Sequence, residues 1–334
     1  MVNETTTWNI DIQTALIEWF DRSARTLPWR SYSNPYAIWL SEVILQQTRV
    51  AQGRAYWEKF MTEFPTLQSL AEAPSEKVMG LWAGLGYYSR ARNLHATAKI
   101  IAELGDFPNN AKDLQSLPGI GPYTAAAIAS IAFKQVIPAL DGNAFRVYTR
   151  LFALADCIDL PSTQKIIAHK SLPLLDPLRP GDSNQAIMDL GAQICTPTQP
   201  KCIDCPLAFA CEAFRRGTQT DFPMKKSKKV AKQVSMTLHV IMRKDKIAVI
   251  KRPSKGIWGD LWCFPEELPE TIPVIEGLRK RHLLTHLDLD VHFPESHAPS
   301  LWIEPQWEWV DPNVLQHRAI PVPIRWWLEE KNYI

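Results

Sequence analysis

LQSLPGIGPYTAAAIASIAF, Leu114–Phe133, carries the turn LPGIG at Leu117–Gly121 between two stretches of helical pattern. Gly119 and Gly121 permit a tight turn, and Pro122 suits the first position of the next helix. A helix that starts there points unpaired backbone N–H groups outward, and these can hold a phosphate without any side-chain charge. A lone G-x-G is also common in turns between packed helices, so the weight rests on the residues downstream. Twenty residues after Gly121, Asp141 stands at the end of an apolar stretch in IPALDGNAFRVYTR. An aspartate before Gly-Asn at a helix start also fits an N-cap.

A second signal lies further on. ICTPTQPKCIDCPLAFAC, Ile194–Cys211, spaces Cys195, Cys202, Cys205 and Cys211 as C-x6-C-x2-C-x5-C. Such a run can place four thiolates around one metal or metal cluster. Four-thiolate zinc sites usually come as two CxxC pairs, and here only one pair is that tight. An iron–sulfur cluster is therefore expected ahead of zinc. The start MVNETTTWNI is polar and lacks the apolar core of a secretory leader, so a reducing, cytoplasmic setting is expected rather than disulfides. Cys157 and Cys263 stand apart and are expected to be buried thiols.

The chain of 334 residues is long enough for two cores, and its formal net charge of +2 is almost neutral. Nucleic-acid binding must therefore rest on local features. No apolar run is long enough to span a bilayer. The first part reads as mainly α. Helices are expected at Ile12–Phe20, in two pieces from Tyr36 with a break near Gln46–Thr48, and at Glu76–Ala83, Tyr88–Glu103, Tyr123–Ala132, Ala144–Ala153 and Asn184–Ile194. The lysine-rich TDFPMKKSKKVAKQ lacks an apolar stripe and reads as a linker, whose lysines are either solvated or on phosphate. Beyond it, SMTLHVIM and KIAVIKR suggest a hairpin around Arg243–Asp245, HLDLDVHF alternates as a half-buried strand, WIEPQWEWV suggests another strand, and PIRWWLEE suggests a closing helix. The expected organisation is a catalytic domain at 1–218, a linker at 219–233 and a smaller α+β domain at 234–334.

The helix–LPGIG–helix pattern, the aspartate after it and the cysteine run together resemble the helix-hairpin-helix DNA glycosylases of the endonuclease III type. LPWR at Leu27–Arg30, WLSEVILQQTRV at Trp39–Val50, LWAGLGYYSRARNLH at Leu81–His95 and NQAIMDLGAQIC at Asn184–Cys195 narrow the resemblance to the adenine DNA glycosylases of the MutY family. The likeness continues more weakly through GIWGDLWCFPE at Gly256–Glu266 into the C-terminal part. It implies a helix-hairpin-helix glycosylase fold with a 4Fe-4S cluster loop, a Nudix-like C-terminal domain, and removal of adenine mispaired with 8-oxoguanine or guanine in double-stranded DNA.

Breaking an N-glycosidic bond to adenine needs a proton for the leaving base and an anion near the oxocarbenium-like sugar. Glu42, set among apolar residues in WLSEVIL, should have a raised pKa and act as the acid at adenine N7. Asp141 would stay ionised and stabilise the cation, with Asn143 orienting it or a water. Tyr123 stands where lyase-type relatives have a lysine, and tyrosine cannot form a Schiff base, so strand cleavage is not expected.

The base must leave the stack to reach Glu42. By resemblance, Gln47 and Tyr87 are the wedges, Thr48 and Leu85 touch the orphaned 8-oxoguanine, and Arg30 and Gln185 line the adenine pocket. Tyr87 could instead be core, and the glutamines could cap a helix break. Gly119, Gly121 and Lys201 are expected on the DNA backbone. The family's Phe-Ser-His wedge is here Leu284, Thr285 and His286, a departure that also fits the lead-in to a strand. No glutamate-rich helix of the Nudix hydrolase kind is present, so pyrophosphatase activity is not expected. Three rivals remain: a thymine or uracil mismatch glycosylase, a non-catalytic iron–sulfur DNA-binding protein, and a lyase on oxidised pyrimidines. A monomer, nucleoid-associated and without membrane contact, is expected.

Overall fold

The computed structural model describes residues 4–227, 230–268, 272–284, 286–299 and 306–334. It divides into two compact units. The first runs up to Ala71 and resumes over Ala96–Ser227, and the second joins Glu72–His95 to the chain after Ser227. This differs from a contiguous split at 218 and 234. Glu72–His95 belongs with the C-terminal part because its polar side chains bond there: the Tyr88 hydroxyl donates to Ile320 O at 3.2 Å, and Arg92 Nη1 donates to Gly259 O at 2.7 Å. Contacts so distant along the chain leave no mark on local periodicity.

The helices are α1 (Glu4–Ser23), α2 (Pro35–Leu45), α3 (Val50–Glu63), α4 (Leu67–Glu72), α5 (Ser75–Leu81), α6 (Ser89–Leu104), α7 (Ala111–Leu114), α8 (Pro122–Phe133), α9 (Gly142–Phe152), α10 (Pro161–Ser171), α11 (Pro180–Gln193), α12 (Glu212–Arg216), α13 (Pro312–Leu315) and α14 (Val322–Glu330). The expected long helices all form, and the break after α2 falls at Gln46–Arg49, as the pattern predicts. The pattern did not reveal α4 and α10, which are short or bury few side chains.

In the first unit α2 is started by Asn34, whose side chain accepts from Tyr36 N at 2.8 Å, with Pro35 in the first turn. Almost every other residue of α2 is buried, so the helix runs through the interior with Glu42 as its only charged side chain. The stretch before the hairpin is only the four-residue α7, capped by Asn110 accepting from Asp113 N at 3.0 Å. Gly119 then takes a φ of 75°, which a side chain would resist, and Pro122 opens α8. α8 is small and buried along Thr124–Ser130, which lets α2 and α11 approach it closely. A larger core joins Leu16 and Phe20 of α1, Val147 and Leu151 of α9, Ile167 of α10 and Ile187 and Leu190 of α11.

The second unit is built on a sheet with strands β1 (Lys232–Thr237), β2 (Val240–Arg243), β3 (Lys246–Lys251), β4 (Trp262–Cys263), β5 (Ile275–Leu283), β6 (Leu287–His297) and β7 (Glu308–Val310). The expected hairpin around Arg243–Asp245 is β2–β3. SMTLHVIM, however, is not one strand. It breaks at Leu238–His239 into β1 and β2, which both run parallel along β6. His239 N turns away to Pro265 O at 2.7 Å, and that interrupts the ladder. β1 begins at Lys232, inside the stretch expected to be linker, and Gln219–Asp221 forms a 3-10 turn. HLDLDVHF is β6, and β5, unrecognised in sequence, pairs antiparallel with it. Of WIEPQWEWV, Trp302–Pro305 lies outside the described residues and Glu308–Val310 is β7. Ile324, Trp327 and Leu328 of α14 close the core over Phe264, Val291 and Phe293.

Candidate functional site

α2, α8, α9 and α11 of the first unit, with the 3-10 turn Pro28–Ser31, wall a cleft of about 640 Å³. Arg30, Glu42, Gln47, Thr48, Tyr123, Asp141, Asn143 and Gln185 all line it. The sequence therefore named eight residues that the fold brings to one place, from segments as far apart as Arg30 and Gln185.

The Tyr123 hydroxyl donates to Glu42 Oε2 at 2.6 Å. Burial pushes Glu42 up to about 7, the bond from Tyr123 pulls against it, Asp141's charge adds to the rise, and Arg30 opposes it. Burial likewise raises Tyr123 well above its usual range, so the phenol remains the donor. Asp141 is both cap and cleft residue. Its Oδ1 accepts from Ala144 N at 2.6 Å at the start of α9, and its Oδ2 accepts from Asn143 Nδ2 at 2.9 Å. Burial raises its pKa, while those donors and the Arg146 charge hold it down. Two carboxyls thus share one cleft with unlike surroundings: Glu42 with a single donor, Asp141 with several. That asymmetry suits one proton-holding group and one anion.

Sequence reasoning missed Arg146 and Arg150. Arg146 Nη2 donates to Asn143 Oδ1 at 2.8 Å and to Gly191 O at 2.6 Å, while its Nε donates to Cys195 O at 2.7 Å. Arg150, 2 % exposed, donates to Cys195 Sγ at 3.3 Å, Thr196 O at 2.7 Å and Pro197 O at 2.8 Å. Asn143, Arg146 and Arg150 fall at i, i+3 and i+7 of α9, so the stripe was visible in IPALDGNAFRVYTR.

Cys195, Cys202, Cys205 and Cys211 line one small cavity together with Arg150. Burial pushes the Cys205 thiol up to about 12 and raises Cys211. Thiols placed so would ionise only against a strong cationic centre. Arg150 at Cys195 Sγ and Gln219 Nε2 at 3.7 Å from Cys202 Sγ supply the donors that a bound thiolate needs. The donor set therefore fits a thiolate-held metal centre. Among the described residues no three ligands converge as around a single ion. Lys201, Gly119 and Gly121 are exposed. Cys263 is buried as expected, but Cys157 is half-exposed beside Asp159.

Leu85, Tyr87, Leu284 and His286 belong to the second unit. Tyr87 is 49 % exposed with a φ of 48°, so it is not a core residue. Leu85 is buried, at 7 % exposure. Tyr87, Leu284 and His286 line a second cavity of about 680 Å³ with Trp258 and His282. Leu284 and His286 occupy the turn between β5 and β6, and Thr285 lies outside the described residues.

A family model described as "HhH-GPD superfamily base excision DNA repair protein" matches residues 40–170, and a NUDIX domain model matches 237–330. The adenine DNA glycosylase of Buchnera aphidicola subsp. Schizaphis graminum is 37% identical over 275 residues, covering 80% of this chain and 78% of that one. The human adenine DNA glycosylase is 36% identical over 329 residues, 82% of this chain and 60% of its own. The chain spans 47% of the Arabidopsis thaliana relative, at 36% identity. A solved thermostable thymine-DNA glycosylase aligns over 64% of this chain and all of its own, with a TM-score of 0.58 and 25% identity. An endonuclease III–DNA complex shares the fold over 63% of this chain and 98% of its own, at TM-score 0.52 and 20% identity.

Gly191 of α11 sets how closely α11 meets Asn143. A Cβ there would lie 2.6 Å from Asn143 Cβ and 3.1 Å from its Cα. Glycine to alanine inside a helix ordinarily stabilises by about 0.5–1 kcal/mol. Gly191→Ala is expected to have the opposite sign, a loss of about 1–3 kcal/mol, measured by urea unfolding.

Proposed function

Because the chain belongs to the adenine DNA glycosylase family, helix-hairpin-helix enzymes that hydrolyse the N-glycosidic bond of adenine in DNA base-excision repair, we propose that it removes adenine mispaired with 8-oxoguanine or guanine and leaves the strand uncut. The observation that carries this reading is the Tyr123–Glu42 bond of 2.6 Å in a cleft that also holds Asp141.

With a pKa of about 7, Glu42 keeps its proton on a large share of molecules at neutral pH. It acts as general acid at N7 of the flipped adenine, turning a poor leaving group into a good one. Tyr123 holds the carboxyl in one orientation. Asp141, fixed by Ala144 N and Asn143, is the anion that offsets positive charge growing at the sugar. Asn143 and the Arg146 fork behind it keep that anion aimed. No lysine replaces Tyr123, so no Schiff base forms and β-elimination is not catalysed.

Gly119 and Gly121 would place the start of α8 on a backbone phosphate, and Lys201 would add a second contact. Gln47, at the turn after α2 with a φ of 55°, and the exposed Tyr87 would wedge the duplex, with Thr48 and Leu85 beside the orphaned base. The second cavity, between Tyr87, Trp258, Leu284 and His286, would read 8-oxoguanine. Cys195, Cys202, Cys205 and Cys211 would hold a 4Fe-4S cluster, whose bulk suits four thiols around a cavity and whose contribution is a covalent tie across the loop.

Single-turnover excision from an adenine:8-oxoguanine duplex tests the chemistry. Glu42→Gln should lower the rate by about 10²–10⁴-fold and leave duplex binding largely intact. The wild-type rate should fall as pH rises through about 7, where Glu42 loses its proton, and fall again at acid pH as Asp141 gains one. Product strands should break only after alkali or heat. Comparable excision of thymine opposite guanine, or rapid strand cleavage, would overturn the assignment. Purified protein should be brown and carry about four irons and four sulfides per chain; zinc alone would refute the cluster.

A further inference from the structure

Gln185 and Asp189 lie one turn apart on α11 and meet the same guanidinium. Arg30 donates from Nη1 to Asp189 Oδ2 at 2.8 Å and from Nη2 to Asp189 Oδ1 at 2.9 Å, a bidentate fork on a carboxylate that is 0 % exposed. Asp189 is held in turn by Arg25, whose backbone N–H and Nε reach its two oxygens at 3.0 and 2.6 Å. Arg30 Nη1 also donates to Arg25 O at 2.9 Å, and its guanidinium lies 5.2 Å from the Phe20 ring centre. The last bond of the set runs from Arg30 Nε to Gln185 Oε1 at 2.8 Å.

Four of the five N–H donors of Arg30 are therefore engaged with protein. Arg30 lines the cleft, but little of its donor capacity faces a base. Gln185 is different. A guanidinium can only donate, so the amide oxygen of Gln185 must face Arg30. Its NH2 is the end left for the cleft.

We propose that Asp189 is a positioning residue for base selectivity: by locking the Arg30 fork it fixes the Gln185 amide so that the cleft demands a hydrogen-bond acceptor on the extruded base. The inference rests on the adenine-excision reading and extends it. Adenine offers N1 as an acceptor, whereas guanine and hypoxanthine carry a proton on N1. Those purines would set donor against donor. A free glutamine would simply rotate and accept either edge. The lock removes that freedom, and with it the tolerance for the wrong purine.

The test compares adenine, 1-deazaadenine and hypoxanthine opposite 8-oxoguanine under single turnover with enzyme in excess. Each variant's rate ratio is divided by that of wild type, so the intrinsic lability of each glycosidic bond cancels. Wild type should lose about tenfold or more when N1 is replaced by C–H. In Asp189→Asn that penalty should shrink to less than about threefold, and relative excision of hypoxanthine should rise by about tenfold. Removing one partner of a buried pair can unfold a protein. Gln185→Leu, which leaves the Arg25–Asp189–Arg30 set whole, and Arg30→Lys, which keeps a charge on Asp189 but loses Nε, should therefore show the same flattening. Wild-type selectivity retained in Gln185→Leu, or in a folded Asp189→Asn, would overturn the inference. A wild-type protein that fails on adenine itself would instead overturn the functional reading.

Discussion

A phenol hydrogen-bonded to a carboxyl inside the cleft is the interaction around which the first unit is arranged. Tyr123 occupies the second position of α8, so its placement is fixed by the LPGIG turn and by Pro122. Glu42 sits mid-way along α2, a helix otherwise buried in apolar contacts, and α2 packs directly on α8. Neither group can move far without breaking a helix interface. Burial makes charge on either unfavourable, and the 2.6 Å bond satisfies both. The same turn thus serves two ends: its exposed glycines face outward, and its tyrosine fixes the glutamate of the cleft.

Polar networks brace the cleft from two sides. Behind Asp141 runs Asn143, then Arg146, then the carbonyls of Gly191 and Cys195. Behind Gln185 runs Arg30, then Asp189, then Arg25. In both, an arginine with its donors engaged by protein converts a flexible amide into an oriented one. The cysteine loop enters this scheme through backbone carbonyls and one sulfur, held by Arg146 and Arg150. Order in that loop and order at Asn143 are therefore linked by direct bonds.

Local chemistry was legible in the chain, and long-range pairing was not. A lone glutamate in an apolar helix, Gly119 and Gly121 before Pro122, an aspartate ahead of Gly-Asn, and four closely spaced cysteines each carry their meaning in a few adjacent letters. Asp141 shows that two readings need not compete, since it caps α9 and lines the cleft. Arg146 and Arg150 were overlooked because an arginine on a helix is ordinarily solvated, and only the fold reveals the carbonyls it meets. The split of SMTLHVIM into β1 and β2 was hidden for a similar reason: both pair with β6, some fifty residues downstream. The β5 strand, rich in arginine and lysine, lacks clear alternation because its charges pair across to Asp288 and Asp290 on β6.

The placement of Glu72–His95 has a bearing on how the chain comes apart. Tyr88 and Arg92 are secured by Ile320 O and Gly259 O, and Arg92 faces Asp260 at 3.4 Å. A protease cutting after Ser227 would divide the second unit and leave Glu72–His95 on the amino-terminal piece. That fragment would keep an arm of about two helical segments whose polar partners, Ile320 O, Gly259 O and Asp260, had departed. Looseness confined to those two dozen residues would then trace to the severed arm, because the residues lining the cleft all belong to the first unit.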